Sequence, residues 1–115
     1  MRKLLMGIVE FHDQHRLEYE SRFKQLAFEQ EPDTLFITCA DSRVVPDLLA
    51  STHPGDLFTM RNVDNLVLPA KRDGVSTSDV SEAGAIEYAA LKLAISAIVV
   101  CGHSACGAVR FGVVN

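Results

Sequence analysis

The sequence predicts an α/β domain with a parallel β-sheet core, flanked by helices and preceded by an N-terminal helical arm. LFITCA and AISAIVVCG are typical of buried strands, and DLFTMRNV follows a turn signal and is predicted as a further strand between them. Helical or turn patterns separate the three segments. Strands that alternate with helices pair in parallel through right-handed crossovers. A chain of 115 residues suits one domain, with an arm over residues 1–29 and an α/β core over residues 30–115.

Composition and charge exclude several classes of protein. The net charge is −4, and the 11 Lys and Arg residues are scattered among 15 Asp and Glu residues. No basic stripe is present, so we expect no nucleic-acid partner. No apolar run is long enough to cross a membrane, and the start lacks a cleavage site, so we expect a cytoplasmic protein. Three cysteines at irregular spacing argue against a disulfide framework.

The helices and loops are predicted from periodicity and from turn residues. Apolar residues recur at helical spacing over residues 3–28, which predicts one long amphipathic helix or two in series. PDLLAS allows a short helix or turn, and residues 69–78 form a loop rich in Gly, Ser and charge. Asp79 and Glu82 resemble a capping box that opens the helix SEAGAIEYAALKLA.

Two of the predicted strands end in residues suited to binding a metal. Cys39 ends the first strand, and His103 and Cys106 follow the third strand in GHSACG. Ligands of open parallel sheets bind beyond the carboxyl ends of strands, so these residues meet if the first and third strands are neighbours, in a strand order of 2-1-3. Zinc takes thiolate and imidazole ligands, and three of them with an open position are typical of a catalytic site. We therefore predict one zinc ion per chain.

Asp41 and Arg43 follow Cys39 on the same turn. Asp41 is the obvious hydrogen-bond acceptor for a water at the metal. Arg43 can hold that carboxylate in a bidentate contact, which keeps it ionised and aimed. One turn thus carries a ligand, an orienting carboxylate and the clamp of that carboxylate.

Other interpretations of these residues stand beside this one. A single cysteine at a strand end is more often a small buried hydrophobe than a ligand, and we assign Cys101 to the core. A structural zinc normally has four protein ligands, and the sequence shows no convincing fourth. The remaining histidines are interpreted as solvated or helix-surface residues: His12, His15 and His53.

CADSRV followed by GHSACG resembles the zinc-site signature of the beta-class carbonic anhydrases. PGDLFTMRNVDNLV and AGAIEYAALKLAISAIVVCGHSACG are similar to further segments of that family, so the resemblance covers most of the chain from Gln30 onward. It implies reversible hydration of carbon dioxide to bicarbonate and a proton by a zinc-bound hydroxide. The metal ligands it implies are Cys39, His103 and Cys106, with Asp41 and Arg43 as the dyad beside them.

The resemblance also implies a substrate pocket and an assembly. Gln30 matches a glutamine that hydrogen-bonds the substrate, and three residues match apolar pocket positions, some of which reach the site across a dimer interface: Phe58, Val63 and Tyr88. From the residues alone, those three would be assigned to ordinary core packing. We expect a homodimer or a larger homo-oligomer.

The sequence departs from the family pattern in two ways. Asp64 stands where the family usually has glycine or alanine, and this extra carboxylate is expected to weaken anion binding or disturb the loop. Family members also continue well past Asn115, so we expect a C-terminally truncated domain with an exposed third strand that tends to associate. Two alternatives therefore remain open: a non-catalytic subunit that binds zinc and dimerises, and a hydrolase of carbonyl sulfide or carbon disulfide on the same scaffold. A redox-thiol protein is disfavoured because no Cys-x-x-Cys pair is present.

Overall fold

The structure, a computed structural model, describes residues 1–77 and 80–112. The chain divides into two compact units, the first comprising residues 1–30 and the second beginning at Glu31. The predicted capping residue Asp79 lies outside the described residues. Within the described ranges, no helix is both long enough and apolar enough to span a membrane.

The first unit is helical, as the sequence predicts. Helix α1 (Arg2–Glu10) continues through a π-helical turn (Phe11–His15) into helix α2 (Arg16–Gln25). The ring of Tyr19 lies between those of Phe11 and Phe23, at centroid distances of 6.1 and 6.2 Å. All residues of α1 are exposed, including its apolar side chains.

The second unit contains a three-stranded parallel sheet. Its strands are β1 (Thr34–Cys39), β2 (Leu57–Asn62) and β3 (Ala97–Cys101), in the order β2-β1-β3. This confirms the predicted fold class and strand order. The register pairs Cys39 with Asn62 and Thr38 with Cys101, so the carboxyl ends of all three strands lie at one edge.

The centre of the sheet explains the apolar run in the sequence. Residues 35–39 of β1 are all buried, because β1 lies between two strands and is covered on both faces. Leu35 and Ile37 pack with Ala89 in the main core. Partly buried apolar residues complete this core: Phe58, Met60, Val67, Ile86 and Ile95.

Three helices accompany the described strands. Helix α3 (Pro46–Ala50) begins with a proline, and the residue that caps its C-terminus, Ser51, adopts the left-handed conformation. Helix α4 (Val80–Leu91) is shorter than the predicted segment, and helix α5 (Gly107–Arg110) follows the GHSACG turn.

Strand β3 forms one edge of the described sheet, and its apolar side chains are open to solvent. Ile98, Val99 and Val100 are 51%, 39% and 54% exposed, in agreement with the predicted exposed strand. Cys101, assigned to the core from sequence, is only half-buried because it lies on this edge strand.

Candidate metal centre

The sheet topology brings the predicted ligand residues to one place. Strand β1 ends at Cys39, β3 ends at Cys101, and His103 and Cys106 lie on the turn that leads from β3 into α5. Since β1 and β3 are adjacent and parallel, the turns at their carboxyl ends face each other. Local sequence places each ligand at the end of a strand, and the strand pairing joins them.

The three ligand side chains converge. One ligand atom from each of Cys39, His103 and Cys106 lies within 4.8 Å of the others. The two sulfur atoms are 3.9 Å apart, and both cysteines are buried, at 3% and 8% exposed. Two sulfurs and an imidazole nitrogen at this separation form a donor set suited to a tetrahedral ion such as zinc.

The hydrogen bonds of His103 leave one ring nitrogen available to a metal. Its Nδ1 lies 3.0 Å from the carbonyl oxygen of Ser104, which only accepts, so Nδ1 carries the proton. The opposite nitrogen, Nε2, is buried and has no hydrogen-bond partner among the described residues. A carbonyl partner on one nitrogen is the usual way in which proteins orient a metal-binding histidine. This buried, unpartnered atom fits a metal ligand.

Asp41 lies beside this cluster and is held there by Arg43. The guanidinium donates from Nε to Oδ1 at 2.9 Å and from Nη2 to Oδ2 at 2.7 Å, and the backbone N–H of Arg43 also donates to Oδ1. The guanidinium bonds, followed by the backbone bond, hold the pKa of Asp41 well below its usual range. Asp41 is therefore ionised, with Oδ2 at 4.0 Å from Nε2 of His103.

Arg43 also connects the two turns that carry the ligands. Its Nη2 donates to the carbonyl oxygen of Ala105, at 3.2 Å. Ala105 precedes Cys106 and has a φ of +55°, an uncommon conformation for a residue with a side chain. A single arginine thus links the turn of Asp41 to the turn of His103 and Cys106.

A second arginine, which the sequence analysis did not identify, lies against the same turn. Arg61 of β2 donates to three backbone carbonyls, those of Cys39, Asp41 and Val44, at 2.9, 2.8 and 2.8 Å. The only signal in the sequence is a charged residue near the end of an otherwise uncharged strand.

A contact between two polar side chains at the end of β2 was also not predicted from the sequence. Asn62 donates from Nδ2 to Oε1 of Glu82 at 2.6 Å and to the carbonyl of Leu66 at 2.7 Å. Glu82 is 7% exposed and lies in the first turn of α4. The sequence predicted Glu82 only as part of a cap, whereas the structure shows that it joins α4 to β2.

Of the predicted substrate residues in the second unit, Phe58 and Tyr88 pack against each other away from the ligands, and Val63 contacts a ligand. Gln30 is exposed and ends the first unit. Phe58 packs on the main core and against the ring of Tyr88, at a centroid distance of 5.8 Å. Phe58 precedes the end of β2 by four residues, about 13 Å along a strand. Val63 contacts the metal centre, because its carbonyl oxygen accepts from the Cys39 thiol at 3.4 Å.

The fold and the site together define a class of protein: a parallel α/β domain with a candidate metal centre of two cysteines and one histidine. A family profile described as carbonic anhydrase matches residues 34–114. The chain belongs to the beta-carbonic anhydrase family, as the sequence resemblance predicted.

Individual relatives support the same assignment. Carbonic anhydrases of Pseudomonas aeruginosa and Helicobacter pylori are 44% and 38% identical to the chain, over 94% and 90% of its length. The chain spans only 47% and 45% of those relatives. Among solved structures, the beta-carbonic anhydrase CcaA superposes with a TM-score of 0.85 at 38% identity, covering 96% of this chain and 51% of that one.

Proposed function

We propose that this chain catalyses the reversible hydration of carbon dioxide to bicarbonate and a proton, at a zinc ion held by Cys39, His103 and Cys106. The convergence of the three ligand atoms within 4.8 Å of one another, at the carboxyl edge of the sheet, is the observation that carries the proposal. Membership of the carbonic anhydrase family supports the choice of reaction.

The residues at the site fit a zinc ion. Two buried thiols and a buried imidazole nitrogen, which has no hydrogen-bond partner in the part of the chain that the structure describes, would provide three ligands and leave a fourth position for solvent or substrate. When bound, zinc would supply a Lewis acid that lowers the pKa of its water toward neutrality.

The chain's own residues prepare the surroundings for this chemistry. Asp41 provides an ionised hydrogen-bond acceptor next to the ligand cluster, and Arg43 fixes its two oxygen atoms in one orientation. The backbone N–H of Asp41 donates to the Cys39 sulfur at 3.4 Å, which links the turn of the dyad to a ligand. The dyad therefore orients a proton-bearing group at the open position and accepts a hydrogen bond from it.

A homo-oligomer is part of the proposal. Phe58 and Tyr88 lie away from the ligands of their own chain, so a role for them in the apolar pocket requires a second copy. Val63 is proposed for the same apolar pocket, and Gln30 is proposed to hydrogen-bond the substrate. Beta-carbonic anhydrases from Sordaria macrospora, described as tetrameric, superpose with a TM-score of 0.80 at 32% identity. They cover 99% of this chain, which spans 54% of theirs. A cytoplasmic location stays a prediction from sequence.

The test compares zinc content and carbon dioxide hydration in the 115-residue chain and two variants. Cys39→Ser should lose zinc and reduce hydration to the uncatalysed rate. Cys101→Ser, the same substitution at a cysteine outside the ligand set, should keep both. Full zinc retention in Cys39→Ser would refute the ligand assignment.

A second candidate, a non-catalytic subunit that binds zinc and associates with other copies, is favoured by the exposed β3. Its apolar residues Ile98 and Val100 are more than half exposed, which is a surface suited to association. Zinc uptake without hydration above that of the Cys39→Ser variant would select this candidate over the enzyme.

A further inference from the structure

Arg61 forms an unusual set of contacts for a strand residue. Its guanidinium binds three backbone carbonyls of one short loop, at Cys39, Asp41 and Val44. Two of those residues belong to the candidate metal centre: one is a ligand and the other is the acidic member of the dyad. Among the described residues, its hydrogen bonds go to these backbone oxygens and not to a ligand side-chain atom.

These carbonyls lie where the sheet no longer provides partners. Strand β1 ends at Cys39, and the last backbone bond to β2 is made by the N–H of Ala40 to the carbonyl of Asn62, at 2.6 Å. At this end of the sheet, backbone carbonyls need other donors. The Asp41 carbonyl accepts from the Val44 N–H at 3.1 Å, and Arg61 donates to it and to the carbonyls of Cys39 and Val44. The planar, forked guanidinium supplies several donors from one side chain, which an ammonium group cannot arrange in the same plane.

The two arginines hold Asp41 at opposite ends. Arg43 binds its carboxylate, whereas Arg61 binds its carbonyl oxygen. The carboxylate contact orients the side chain. The carbonyl contact restricts the backbone from which it projects, together with the Val44 N–H, which donates to the same oxygen at 3.1 Å. The backbone of Cys39 is restricted in the same way.

We propose that Arg61 is a positioning residue for the metal centre: its three carbonyl contacts hold the loop of residues 39–44 in the shape that aims the Cys39 sulfur and the Asp41 carboxylate. Its effect on metal binding rests on the proposed zinc site. Its effect on the loop does not, and can be measured in the metal-free protein.

The first experiment measures amide hydrogen exchange in the metal-free 115-residue chain. Three amides report on the loop, because Ala40 donates to Asn62, Arg43 to the Asp41 carboxylate and Val44 to the Asp41 carbonyl. Arg61→Ala should accelerate their exchange and leave the amides of β3 unchanged. Unchanged exchange at all three would overturn the proposal.

The second experiment titrates the same proteins with cobalt(II), whose visible spectrum reports tetrahedral thiolate coordination. Loss of an outer-shell partner typically lowers metal affinity about 10–100-fold, and we expect a loss of that size for Arg61→Ala, with an altered spectrum. Equal affinity and an identical spectrum would show that Arg61 does not position the ligands.

Two further variants separate geometry from charge and from general destabilisation. Arg61→Lys keeps the positive charge but loses the forked guanidinium. Its exchange rates and cobalt affinity should therefore be closer to those of Arg61→Ala than to those of the parent chain. Arg72→Ala removes an exposed arginine from the loop before α4 and should behave like the parent chain. Parent-like behaviour of Arg61→Lys would overturn the geometric argument. If the parent chain binds no cobalt, the zinc proposal fails, and the exchange data alone decide the role of Arg61.

Discussion

The side chain of Thr38 joins β1, which ends at the ligand Cys39, to β3, which precedes the turn of His103 and Cys106. Thr38 is 0% exposed, and its hydroxyl donates to the carbonyl oxygen of Cys101 at 2.9 Å. Thr38→Val preserves the shape and removes the donor, so it tests how much this bond stabilises the alignment of β1 with β3. The variant leaves the three ligand side chains in place.

The expected loss of stability follows from the burial of the two partners. A typical internal hydrogen bond contributes about 1 kcal/mol, and an acceptor left buried without a partner costs about 1–3 kcal/mol. Cys101 is half-buried, so water reaches part of its surface and the lower half of that range applies. We expect Thr38→Val to lower the free energy of unfolding by about 1–2 kcal/mol.

Urea unfolding followed by circular dichroism provides the measurement. With a slope of about 1–2 kcal/mol per molar urea, the midpoint should fall by about 1 M without a change in slope. Thr38→Ser is the matched control, since it keeps the hydroxyl and loses only a buried methyl, at about 0.8 kcal/mol. A Thr38→Val protein as stable as the parent would refute the reasoning, because the Cys101 carbonyl would then need no donor.

Three other predictions address the candidate site and the exposed strand. Asp64→Gly should raise the rate of carbon dioxide hydration because it removes an extra carboxylate, although it also removes the acceptor of the Leu66 N–H at 3.4 Å. An equal rate would show that the aspartate at this position does not impair the reaction. Arg43→Gln should raise the pKa of Asp41 only in part, because the backbone N–H of residue 43 still donates to it. Since the folded-state pKa of Asp41 is depressed, its ionised form stabilises the fold above the unfolded pKa, and this stabilisation is lost as pH falls through the folded-state pKa. If a carbon-detected NMR titration of Arg43→Gln shows no upward shift in the pKa of Asp41, the Arg43 guanidinium is not what lowers that pKa. Val100→Lys should reduce self-association measured by sedimentation, because Val100 is 54% exposed on β3, and an unchanged oligomer would exclude this face from the interface.

Much of the fold could be predicted from sequence because its causes are local. The continuous apolar run before Cys39 requires burial on both faces, which only a central strand of a covered sheet provides. The end of the third strand is also marked locally, by the turn residues of GHSACG. The sequence predicted that Cys39, His103 and Cys106 meet if those two strands are neighbours, and the structure shows that they are.

The supports of the site were decided by tertiary structure. Arg61 reaches carbonyls 17 to 22 positions away in the chain, and Arg43 reaches Ala105 across 62 positions. Such bonds go to backbone atoms, which every residue possesses, so no residue type in the sequence marks the partner. The sequence by itself determined which side chains could bind a metal and at which edge of the sheet they lie. Only the folded chain decided how their turns are held, because that depends on distances between backbone atoms that no local pattern encodes.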